Sequence, residues 1–223
     1  MSDGSIELIR GSRGELIAVV LAGAAHVATE LFFSEAVALW LSAVLSVGFL
    51  VYLAWRARRH PGMLRAWGMR WDNFGQTIGP HLTFAAVGSV LVLWIGSTVG
   101  TIDFPRTFWL TLALYPLWGA AQQFALQNLL ARNVYAFTSS MLVVSVVAAV
   151  LFGASHYPRW WLVALTAGAG FPFTILYRRF PNLWAVGIAH GILGSFAVYS
   201  VLGEDPGAAI LSTLWRWFQG GST

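Results

Sequence analysis

Seven apolar runs follow one another from Leu16 to Leu202, each close to the length an α-helix needs to cross a lipid bilayer. At about 1.5 Å rise per residue, about 20 mostly apolar residues span the hydrocarbon. There, every backbone N–H and C=O needs a partner within the chain, so such runs fold as helices. They cover approximately 16–33, 36–55, 78–99, 104–130, 139–156, 160–177 and 183–202. The expected fold is all-α, a polytopic membrane helical bundle of seven transmembrane helices, with six to eight compatible with the length. Charged residues make up 10% of the chain, against about a quarter in a soluble domain, which excludes a soluble globular protein. The apolar and aromatic content excludes disorder. The absence of cysteine excludes disulfides, thiolate nucleophiles and Cys-ligated metals.

Residues 1–14 read as an N-terminal cytoplasmic tail, 15–205 as one integral membrane domain and 206–223 as a C-terminal interfacial tail. LIAVVLAGAA, at the start of the first run, has the make-up of a signal-peptide core, but the run continues through His26 and Glu30. Residues 56–76 hold five arginines with Trp67 and Trp71 between them. They read as a basic amphipathic loop lying at the headgroups. All thirteen basic residues are arginine, and they form no stripe, so no nucleic-acid partner is expected. Ten fall in the N-terminal tail and the loops after runs two, four and six, and the other set is Arg106, Arg159 and Arg216. This bias puts the N-terminus in the cytoplasm of what reads as a bacterial cytoplasmic membrane. Trp55, Trp109, Trp160, Trp161, Trp184 and Trp217 sit near run ends, as an aromatic belt requires.

Polar side chains in a bilayer interior are costly and need partners. The runs contain His26, Glu30, Gln122, Gln123, Gln127, Asn128, His156 and His190. Gln123 and Gln127 share a helical face, as do Phe152 and His156. Gly187, Gly191 and Gly194 surround His190 and permit close approach of a neighbouring helix. Glu30 is the only acid well inside a run, one turn after His26. A buried His–Glu pair that pins run one is the plain reading. Participation of Glu30 in a site with Gln122, His156 and His190 is the sharper one.

QQFALQ at 122–127, FGASH at 152–156 and HGILG at 190–194 occur in that order. Together with YRRFPNLWAVGIAH they resemble the three motifs of the CPBP intramembrane proteases, Abi-type relatives of the type II CAAX prenyl endopeptidase. The resemblance covers about residues 65–202. It implies an integral membrane hydrolase that cleaves a membrane-associated peptide or protein among membrane lipids. In the family, the first glutamate of motif one activates water, the histidines orient it and stabilise the oxyanion, and an Asn or Asp of motif three assists. Carried onto this chain, the catalytic set is Gln122, His156 and His190, with Glu30 as a replacement carboxylate. Gln123, Gln127, Phe152 and Gly194 are supporting positions. An amide takes no proton near neutral pH, so Gln122 is no general base. The family's second glutamate and its arginine, four residues apart, correspond to Gln123 and Gln127. Both charges are lost together, and an amide pair can keep the hydrogen bond. No cofactor is required by the residues. The histidines suit a divalent metal such as zinc, which the Gln substitutions disfavour. The alternative is a catalytically inactive pseudoprotease that acts as a membrane scaffold or binds a peptide or lipid. A transporter would call for a polar pathway along several helices, which the local clustering of polar residues does not offer.

Overall fold

A computed structural model describes residues 11–218. The described residues are helical, with no strand among them. Helix α1 is Arg13–Phe32, α2 Glu35–Arg59, α3 the single turn Met63–Ala66, and α4 Phe74–Val99. Helix α5, Phe108–Gln123, runs on through a π-helical stretch, Phe124–Ala131, and a last α-turn, Arg132–Val134. Next come α6 Met141–Ala154, α7 Trp160–Arg179, α8 Leu183–Ala197 with a π-turn Val198–Leu202, and α9 Pro206–Phe218. Among the described residues, four helical stretches are long and apolar enough to cross a membrane: Arg13–Phe32, Phe74–Val99, Trp160–Arg179 and Leu183–Leu202. Helix α6 is apolar but shorter.

Local chemistry sets several boundaries. The Ser12 hydroxyl accepts the Glu15 amide at 3.3 Å and caps α1, and Ser140 does the same for α6 through Val143. Large apolar side chains stay exposed along α2, α4 and α6, including Trp40, Val47, Val87, Val90, Trp94, Leu142 and Val150. In water such a surface would drive association, whereas in a bilayer it is the lipid-facing side.

The chain divides into two compact units. The first joins Met1–Thr77 to Gln122–Trp184. Its core is Leu126, Leu130, Val134, Val144, Ala148 and Phe152, with Leu16 and Val19 of α1 packed against it. Helices α6 and α7 pack closely because Gly153 has no side chain. A Cβ there would come within 2.9 Å of Ala167 Cβ and 3.0 Å of the Val163 carbonyl. The second unit joins Ile78–Ala121 to Ala185–Thr223. Phe108, Val198 and Tyr199 form its aromatic core. At Gly191 a Cβ would lie 2.4 Å from the Pro116 nitrogen, so backbone meets backbone there and only glycine fits.

The basic stretch 56–76 differs from the surface-lying loop expected of it. Helix α2 continues through Arg59, so Arg56, Arg58 and Arg59 form its last turn. Trp67 is fully buried, whereas Trp71 is 67% exposed. The Trp67 ring meets Phe124 edge-on at 5.0 Å. Its carbonyl accepts Asn128 Nδ2 at 3.2 Å and the Tyr177 hydroxyl at 2.8 Å. Arginine-rich flanks suggested an interfacial segment, but long-range packing draws the indole inward. Of the expected belt tryptophans, Trp55, Trp109, Trp160 and Trp161 are exposed. Trp184 stacks on Trp71 at 5.5 Å instead. The side chains of Arg216 and Trp217, and all of residues 1–10 and 219–223, lie outside what is described.

Candidate active site

The first unit holds the glutamine motif and the FGASH histidine. Gln123 is fully buried and Gln127 nearly so. Gln127 Nε2 donates to Gln123 Oε1 at 2.9 Å and to Thr174 Oγ1 at 3.5 Å, and Thr174 donates to the Gly170 carbonyl. The amide pair anticipated from the i,i+4 spacing therefore forms, and α7 supplies a third member. Gln122, one position around the helix, is half-buried. The π-helical stretch begins directly after Gln123. Single π-turns inside helices frequently mark functional positions.

His156 follows the end of α6. Its Nδ1 lies 2.7 Å from the Phe152 carbonyl and 3.3 Å from Ser155 Oγ. A carbonyl only accepts, so Nδ1 carries the proton and Nε2 holds the lone pair of the neutral ring. The Phe152 ring meets the imidazole edge-on at 5.0 Å and is anchored in the core of the unit. The phenylalanine thus fixes the ring plane, while its carbonyl fixes the tautomer.

Helix α1 reaches this region. The Gly23 Cβ position lies 4.0 Å from Ser155 Cβ. Thr29 is the buried residue of α1, and its hydroxyl donates to the His26 carbonyl at 2.7 Å. Glu30, beside it, is exposed. The carboxylate that α1 does bury is Glu15, where the helix begins. It accepts hydrogen bonds from Tyr52, from Arg132 and, at 3.0 Å, from Asn133, and Arg56 lies 3.3 Å away. Sequence reasoning passed over Glu15 because it stands at a run boundary. Asn128 and Tyr177 were also missed as a pair. They hydrogen-bond each other at 3.1 Å across 49 positions of sequence.

The second unit holds His190 and Gly194, both half-buried on α8. His190 is backed by Gly119 of α5, whose Cβ position lies 3.1 Å from His190 Cβ. A Cβ at position 194 would lie 3.5 Å from the Tyr115 ring and 3.9 Å from the His190 ring, which is ordinary contact. The position therefore has room for a Cβ.

No three His, Asp or Glu side chains gather into a ligand set among the described residues.

Residues 104–196 match the family model described as type II CAAX prenyl endopeptidase Rce1-like. No curated protein and no solved structure matches the chain. The matched segment contains all three motif stretches, 122–127, 152–156 and 190–194. Through that segment, the chain is similar to the Rce1-like type II CAAX prenyl endopeptidases, and its apolar helices fit an integral membrane protein.

Proposed function

We propose that this protein is an intramembrane endopeptidase of the CPBP/CAAX type whose active site works without the family's glutamate. The observation that carries the reading is the fixed tautomer of His156, which turns a basic Nε2 away from the Phe152 carbonyl. The Nε2 lone pair of a neutral imidazole in this tautomer can accept a proton from water without a carboxylate beside it. In this mechanism the Gln122 amide holds a water by hydrogen bonds. The water oxygen attacks the scissile carbonyl carbon while its proton passes to His156 Nε2. His156 then returns the proton to the leaving nitrogen as the C–N bond breaks. The substrate is a peptide or protein at the membrane. The reading places seven spans in the membrane: α1, α2, α4, α5 with its π-helical extension, α6, α7 and α8. The arginine bias puts the N-terminus in the cytoplasm.

A second reading rests on a different observation. The buried Gln123–Gln127–Thr174 set is neutral and hydrogen-bonded, as in a groove that binds but does not hydrolyse. On that reading the protein is a pseudoprotease scaffold for a peptide or lipid-modified chain. Mass mapping of cleavage products from membranes carrying the wild type, His156→Ala, His190→Ala or Glu30→Gln decides between them. The endopeptidase reading expects products with the wild type and with Glu30→Gln, and a loss of about a hundredfold or more with His156→Ala. No cleavage by any of the four, with retained peptide binding by the wild type, establishes the scaffold.

A further inference from the structure

The arginines at the end of α2 are not equivalent. Arg56 lies 3.3 Å from the Glu15 carboxylate. Arg65 and Arg70 both reach Asp72, at 2.5 Å each. Arg58 and Arg59 have no carboxylate partner among the described residues, and both are exposed. They line an open recess of about 500 Å³ with Val51, Ala54 and Trp55. The Arg59 guanidinium lies over the Trp55 ring, 5.6 Å from its centroid.

The recess terminates a stripe. Trp40, Val44, Val47, Val51 and Trp55 recur at steps of three and four along α2 and are all exposed, so they share one face of the helix. Arg58 continues the same progression. From Val44 to Arg58 the chemistry changes from aliphatic to aromatic to cationic over about 21 Å, taking 1.5 Å per residue. That is the order of an acyl chain, a glycerol backbone and a phosphate in one bilayer leaflet. Guanidinium groups bind phosphate oxygens in a planar, bidentate manner.

We propose that this face of α2 binds one anionic phospholipid, with its phosphate on Arg58 and Arg59 and its acyl chain along Val51, Val47 and Val44. Charge complementarity selects the occupant, because two unpaired cations stand at the end of an apolar track. A zwitterionic lipid places a compensating ammonium beside the phosphate and fits less well.

Native mass spectrometry of the full chain, released from nanodiscs of mixed phosphatidylglycerol and phosphatidylcholine, tests the site. The wild type retains one phosphatidylglycerol. Arg58→Gln and Arg59→Gln each weaken retention roughly fivefold, and the double variant roughly twentyfold. Arg179→Gln, which removes an exposed arginine outside the recess, leaves retention unchanged. Both recess arginines are exposed, so melting without lipid stays at the wild-type value. Equal losses in Arg179→Gln, or wild-type retention by the double variant, would overturn the site. So would phosphatidylcholine held as tightly as phosphatidylglycerol. Displacement of the lipid by inorganic phosphate would make the recess a free-anion site and would also sink the proposal.

Discussion

Gln123 and Gln127 show how one helical turn absorbs the loss of a charge pair. An acid and an arginine at these positions would be buried and mutually neutralised. Two amides keep the geometry at 2.9 Å with no charge to desolvate. Restoring only one charge strands it, which costs about 3 kcal/mol or more. Gln123→Glu should therefore lower the melting temperature in detergent. Adding Gln127→Arg should recover most of that loss, and the double-mutant cycle should show a coupling of at least about 1 kcal/mol. Additive effects would mean that the two positions do not form a pair. This contact was legible in the sequence because it is local. The partners of Asn128 were not, since the Trp67 carbonyl and the Tyr177 hydroxyl are remote along the chain and one of them is main chain.

At the scale of the elements, spans α4, α7 and α8 begin and end within a few residues of the apolar runs, because a bilayer demands both the length and the apolar content. The π-helical geometry of Phe124–Ala131 has no counterpart in the run pattern, since apolar periodicity specifies a face and not the hydrogen-bond register. Helix α9 is held by polar chemistry at its start. Asp205 Oδ1 accepts the Ala208 amide at 2.9 Å and the Tyr199 hydroxyl at 2.6 Å, and its other oxygen accepts from Thr107 at 2.7 Å. Pro206 supplies the first helical residue, where no amide proton is needed. Partial burial raises the Asp205 pKa, but the hydrogen bonds from Tyr199, Thr107 and the backbone outweigh it and hold the carboxyl below its usual 3.8. The folded form thus binds the proton less readily than the unfolded chain. The stabilisation is complete above the ordinary carboxylate range and is lost as pH falls through that range toward the folded value. Thermal melting should show this acid limb in the wild type and a smaller one in Asp205→Asn. At neutral pH that variant should already be less stable, by about 1 kcal/mol.

At the scale of the molecule, ionisable groups are few and their placement matters. The sparse acids pointed to Glu30 as the carboxylate of the interior. The fold buries Glu15 instead, joining α1 to α2 through Tyr52 and Arg56, and to the end of α5 through Arg132 and Asn133. Glu15→Gln would leave two largely buried guanidinium groups short of a counter-charge. A loss of about 3 kcal/mol is expected, against about 1 kcal/mol for Tyr52→Phe, which removes one hydrogen bond and no charge. Melting of the two variants in detergent checks the ranking, and equal losses would show that the hydroxyl rather than the charge holds α1.

The sequence by itself determined the all-helical membrane class and the family motifs, because bilayer thickness and i,i+4 spacing are written in local order. It also carried the pairing of Gln123 with Gln127 and of Phe152 with His156. Only the tertiary structure decided that Trp67 is core and not interface, that Glu15 and not Glu30 is the buried acid, and that Arg58 and Arg59 meet no carboxylate among the described residues. Each depends on which distant group meets a side chain, and composition does not record those meetings.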